Sequence, residues 1–111
     1  MKEFIDYLTQ QIETGRENIA RLEADDRRDD ADFAKVRVNI YDVCRTVTIA
    51  LIDRPVSGAD AVKNRFERFR EEWTAALDKA KAHDDTRNIV VGETKLEALA
   101  DVITHFEEIG K

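Results

Sequence analysis

Several things are scarce in this chain, and each scarcity excludes something. A single cysteine, Cys44, cannot form an internal disulfide, so nothing in the sequence calls for an oxidising compartment. One proline and four glycines leave few points at which a long element must break. Long apolar runs are missing as well. The opening residues MKEFIDYLTQQIETGRENIA carry charges every few positions, which argues against a signal peptide or a membrane span. The cytoplasm is the expected location. Basic residues are outnumbered, 18 against 24 acidic ones, and the net charge of −6 repels a phosphate backbone at long range. No nucleic-acid partner is therefore expected. A glycine-rich phosphate loop is not found either.

What remains is a chain of 111 residues, 42% of them hydrophobic, which suits one globular domain spanning 1–111 with its own core. Between the turn signals, apolar residues recur at three-and-four spacing in four segments. Phe4, Ile5, Leu8, Ile12, Ile19 and Leu22 mark the first, with Gly15 on the same stripe, where a neighbouring helix could approach closely. The cluster DDRRDDAD (Asp25 to Asp32) supplies a turn, and its later acids suit the start of the next helix. Pro55 ends the second segment, because the residue before a proline avoids helical angles. Ser57-Gly58-Ala59-Asp60 reads as a capping box with Ser57 as the cap. The third segment carries Val62, Phe66, Phe69, Trp73, Ala76, Leu77 and Ala80 on one stripe. His83-Asp84-Asp85 closes it and offers a cap for the fourth, which keeps Ile89, Gly92, Leu96, Leu99, Ile103 and Phe106 in register. The weak stretch NIVVGE allows a start as late as Glu93; the shorter loop favours Thr86. The expectation is an all-α protein, an antiparallel up-down four-helix bundle with helices over about 2–24, 30–53, 58–82 and 86–109.

The second segment is unusual. In VRVNIYDVCRTVTIALI, turning about 100° per residue gathers Phe33, Val36, Ile40, Val43, Cys44, Val47, Ala50 and Leu51 on one face. Val38, Tyr41, Ile49 and Ile52 gather on another, interrupted by Arg45. A helix in a simple bundle needs one buried face. The second face therefore asks for cover, either from another molecule or from helices that wrap further around this one. A second copy of the chain is the simplest outside cover, giving a symmetric homodimer through Val38, Tyr41, Arg45, Ile49 and Ile52. An unknown protein partner is the second choice.

Recognisable chemistry is sparse. The di-iron pattern needs a glutamate three residues before a histidine, but Ala80 and Val102 stand there. Glu97, Asp101, His105 and Glu108 line up along the fourth segment and read as a solvated charged flank rather than a metal site. Neither Asp25 nor Asp30 opens a calcium loop with the required ligand spacing. Cys44 lies on an apolar stripe, where a thiol is dulled, and neither histidine has a setting for phosphotransfer. Lys63, Arg65, Arg68 and Arg70 are interleaved with Glu67, Glu71 and Glu72, a pattern of helix-surface pairs.

No catalytic, cofactor or metal residues are thus expected. The leading expectation is a non-enzymatic protein acting through protein–protein association. The alternative is a bundle binding a small apolar ligand near Phe66, Phe69 and Trp73, faced by glycine-thinned helices.

Overall fold

Short connections decide the topology. The computed structural model describes residues 1–55 and 57–109. Its elements are α1 (Lys2–Ala24), α2 (Arg28–Leu51), α3 (Gly58–Ala82) and α4 (Thr86–Ile109), which form an all-α, up-down four-helix bundle as expected. The fourth helix takes the longer form, starting at Thr86 rather than Glu93. α2 starts and ends two residues earlier than its periodicity predicts.

Two of the three turns use the same device. After α1, Asp26 adopts a left-handed φ of 57°. The Asp26 N–H then donates to Glu23 O and the Arg27 N–H to Leu22 O, at 3.1 and 2.9 Å. After α3, Asp84 does the same at φ 52°. Its N–H donates to Lys81 O and the Asp85 N–H to Ala80 O, at 3.2 and 3.0 Å. Both are helix stops that satisfy terminal carbonyls and usually employ glycine; aspartate is among the few other residues that enter this region readily. Asp85 then caps α4: its carboxylate accepts from the Asn88 N–H at 3.3 Å and from the Asn88 amide at 2.6 Å.

The turn before α3 departs from expectation. Ser57 does precede the helix, but with a left-handed φ of 61° and no side-chain cap bond. The capping box is not formed, because that backbone geometry differs from the extended one a capping serine needs. The Ser57 carbonyl instead accepts from the Ala61 N–H at 2.8 Å.

α1 pairs with α2 and α3 with α4, and the two hairpins meet chiefly where α2 packs on α4. α2 touches all three other helices, whereas the α1 and α3 backbones do not come together among the described residues. The Cα envelope measures 46 × 35 × 20 Å. At one end Phe4, Phe66 and Phe106 form a mutual cluster. Phe106 meets the other two rings edge-on at 5.2 and 5.7 Å, and Phe4 lies 6.3 Å from Phe66. Edge-to-face contacts of this kind add about 0.5–1.5 kcal/mol to simple burial. Leu8, Ile12, Ile40, Cys44, Val62, Ala98, Leu99 and Val102 continue the core. Burial on α1 stops at Ile12, and in its second half Ile19 and Leu22 are half-buried.

Gly58 is buried at the start of α3, and a Cβ built there would lie 2.9 Å from the Ile52 carbonyl carbon. Backbone cannot swing aside as a side chain can. Gly58→Ala is expected to destabilise the protein by about 1–3 kcal/mol, even though alanine is the better helix former. Urea unfolding checks this; equal or higher stability of the variant would contradict it.

Candidate functional site

α2 carries more apolar surface than one face because three helices enclose it. This corrects the expectation that its second face lacks cover within the chain. Tyr41 is 2% exposed and belongs to the core. Val38 and Ile52 are half-buried and packed against that core. Val38 fills the space left by the missing side chain of Gly15, so the glycine does mark a close approach of α1 and α2. Arg45 reaches across to α1, donating to Thr9 Oγ1 at 3.3 Å, and pairs with Asp42 at 3.0 Å. Of the five residues offered as an interface, only Ile49 stands out into solvent, at 55% exposure. One exposed isoleucine is ordinary on a protein surface and needs no partner. Tyr41 is thus core, Val38, Arg45 and Ile52 are half-buried, and Ile49 alone is exposed.

Tyr41 leads instead to a polar cluster that sequence reasoning missed. Its hydroxyl donates to Asp101 Oδ2 at 2.7 Å, joining α2 to α4. Tyr7, from α1, donates to the same oxygen. Arg37, one turn before Tyr41, lays its guanidinium 5.6 Å from the Tyr41 ring centre and donates to the Tyr41 oxygen at 3.2 Å. His105 stacks on the Tyr7 ring, with centroids 3.9 Å apart and planes 16° apart. Its Nδ1 lies 2.9 Å from the Asp101 carbonyl oxygen and 3.4 Å from Oδ1. Three helices thus converge on one carboxylate. The row Glu97, Asp101, His105, Glu108 is not a uniform solvated flank: Asp101 and His105 are half-buried toward α1, while Glu97 and Glu108 are exposed.

The electrostatics follow from these partners. Burial tends to raise the carboxyl pKa of Asp101. The hydrogen bonds from Tyr7 and Tyr41, with His105 and Arg37 nearby, outweigh it and hold the group below its usual range. Both phenols are pushed well above their usual value, first by burial and then by donating to a carboxylate that favours the protonated ring. Burial alone pushes the Cys44 thiol up to about 12. Cys44 is accordingly a small core residue, as its position on the apolar stripe suggests.

Two clefts flank the hairpins. One, of about 350 Å³, runs between α3 and α4 beside Trp73, Ala76, Leu77, Val91, Gly92 and Lys95. The aromatic residues expected to line a pocket are divided. Phe66 is sealed in the core, Phe69 stacks on Trp73 with centroids 5.0 Å apart, and Trp73 borders the cleft. The other cleft, of about 340 Å³, lies between α1 and α2, with Tyr41 in its wall. Among the described residues no cluster of potential metal ligands is found, and no helix is long and apolar enough to cross a membrane. Comparisons with family models, curated proteins and solved structures return no match.

Because the Asp101 carboxyl is held below its ordinary value, the cluster stabilises the fold above pH about 3.9, the unfolded reference, and loses that contribution as pH falls through the lowered native value. Asp101→Asn is expected to lower stability at pH 7, with the gap to wild type closing below pH about 4. Tyr41→Phe should cost about 1.5–3 kcal/mol, the range for a hydrogen bond to a charged group. Urea unfolding at pH 7, 4 and 3 reads both, and a gap independent of pH would rule out the ionic role of Asp101.

Proposed function

We propose that the protein is a non-enzymatic binding module that takes a small, largely apolar ligand in the cleft between α3 and α4. The observation that carries this reading is the cleft itself, about 350 Å³ beside Trp73. Ligand sites of this size are typically concave, mostly apolar and provided with a few placed polar groups. Trp73 supplies a flat ring at the cleft border, braced by parallel stacking on Phe69 with an interplanar angle of 3°. Such a ring is held ready and loses little freedom when a ligand packs on it. Lys95 Nζ stands 5.9 Å from the Trp73 ring centre, a cation over the indole at the cleft border. Gly92 is buried opposite Leu77, and a Cβ built there would lie 3.1 Å from Leu77 Cδ1. The thinned helix lets α4 come down onto Leu77 and shapes the cleft floor.

Trp73 is the only tryptophan, so its emission reports on this cleft alone. Titration with N-phenyl-1-naphthylamine, a neutral apolar fluorophore, is expected to quench that emission saturably at one site. Ala76 is exposed and lines the cleft, so Ala76→Phe fills it without disturbing the core. The variant should keep its melting temperature and bind the probe at least about tenfold more weakly, the loss of roughly one good contact. Absence of saturable quenching in the wild type, or unchanged affinity in Ala76→Phe, would overturn the reading.

A further inference from the structure

The geometry points to a second ligand site: we propose that the cleft between α1 and α2 binds a small polar molecule through its carboxylate or phosphate group, gripped by Arg21 and Arg37. This goes beyond the apolar site of the other hairpin and does not depend on it.

The cleft is about 340 Å³, and its polar lining consists of Gln11, Thr14, Asn18, Arg21, Arg37 and Tyr41. On α1 these fall at positions 11, 14, 18 and 21, one helical face; on α2, Arg37 and Tyr41 are one turn apart. None of the lining residues is acidic. Elsewhere in the first hairpin Arg27 pairs with Asp30, Arg28 with Asp26, Lys35 with Glu23 and Arg45 with Asp42, whereas Lys2 and Arg16 make no ion pair among the described residues. Among the described residues neither Arg21 nor Arg37 is in an ion pair.

Arg37 is also positioned. Arg37 is half-buried, and its guanidinium lies over the Tyr41 ring and gives one N–H to the Tyr41 oxygen. Tyr41 is in turn fixed by its own bond to Asp101. A guanidinium carries five donors in a planar fork that matches two oxygens of a carboxylate or phosphate. Among the described residues only one of the five donors meets a protein acceptor, and the fork is already oriented. The cleft exceeds the volume of a bare oxyanion. Gln11, Thr14 and Asn18 therefore offer amide and hydroxyl groups to the remainder of a small polar metabolite. The shallower groove at Arg54, Arg65 and Arg68 shares the charge without the order: all three are exposed, and Arg68 already faces Glu72 at 3.5 Å.

Full-length protein titrated with sodium phosphate and, separately, sodium succinate, each against sodium chloride at matched ionic strength, tests this. Arginine Nε–Hε and Gly15 amide resonances are followed by NMR. Saturable shifts of Arg37, Arg21 and Gly15 are expected with at least one oxyanion and not with chloride. A response to phosphate alone identifies a phosphorylated ligand, to succinate alone a carboxylate, and to both a general oxyanion site. Arg21 is exposed, so Arg21→Gln leaves the fold intact and should weaken binding at least tenfold. Arg37→Lys, which keeps the charge and removes the fork, should do the same. Arg65→Gln, in the other groove, should leave affinity unchanged, as should Ala76→Phe. Linear shifts indistinguishable from chloride, or a loss of binding in Arg65→Gln equal to that in Arg21→Gln, would overturn the proposal.

Discussion

The hydrogen bond from Tyr41 to Asp101 is the constraint on which the arrangement of helices depends. Tyr41 is the largest fully buried side chain, and its hydroxyl cannot enter the core without a partner. Asp101 provides one at 2.7 Å, and in doing so brings α2 against α4. The carboxylate has the converse problem. Taken partly out of water, it is tolerable only if its oxygens are served, and the phenols of Tyr7 and Tyr41 serve one of them from two different helices. Each group makes the other's burial affordable. A purely apolar contact would let α2 and α4 slide; a directional bond between phenol and carboxylate sets the height at which they cross.

That crossing explains why α2 is apolar over most of its circumference. With α4 drawn to its centre, α1 on one side and α3 on another, it has no single inward face. A helical wheel shows which residues share a face but not how many neighbours the helix has. From sequence, Val38, Tyr41 and Ile52 therefore look stranded on the wrong side, and a second molecule looks necessary. The chain's own helices supply the cover, and α1 comes close enough because Gly15 leaves room for Val38.

The helices themselves were largely legible. Periodicity, the aspartates at the turns and Asp85 as a cap locate all four to within about two residues, the ordinary uncertainty of helix ends. The polar cluster was not, for a physical reason. Asp101 and His105 at four-residue spacing look like any ion pair on a wet helix face. What distinguishes them is contact with Tyr7 and Tyr41, 94 and 60 residues away in the chain, and no local pattern encodes that separation. Tyr41 is hard to place for a related reason: counted among apolar residues, its ring predicts burial correctly while its hydroxyl, which selects the partner, leaves no trace in the pattern. The apolar pocket fared between these cases. Trp73 borders a cleft, whereas Phe66 joins a ring cluster to which α1, α3 and α4 each contribute a phenylalanine.

Both clefts include a glycine in their walls, Gly15 in one hairpin and Gly92 in the other. At a glycine the paired helices approach closely; above and below it, full-sized side chains hold them apart, and the space between becomes a groove. The same rule generates two grooves of similar volume, and their linings differ according to which residues flank the glycine. Beside Gly92 stand Trp73, Leu77 and Val91 with Lys79, Asp85 and Lys95, so this groove sets an apolar surface among charges of both signs. Beside Gly15 stand Ala34 and Val38 together with Asn18, Arg21 and Arg37, and the only charges in this groove's lining are cationic. The overall charge sharpens that contrast. A molecule with net charge −6 repels anions at a distance, so charge alone recruits nothing to the cationic groove. Long-range repulsion and short-range complementarity together favour a small anion that fits the fork of Arg37 over an extended polyanion, which must bring many charges close to an acidic surface. The acidic composition and the arginine-lined groove are thus compatible: the first sets what stays away, and the second what can be held.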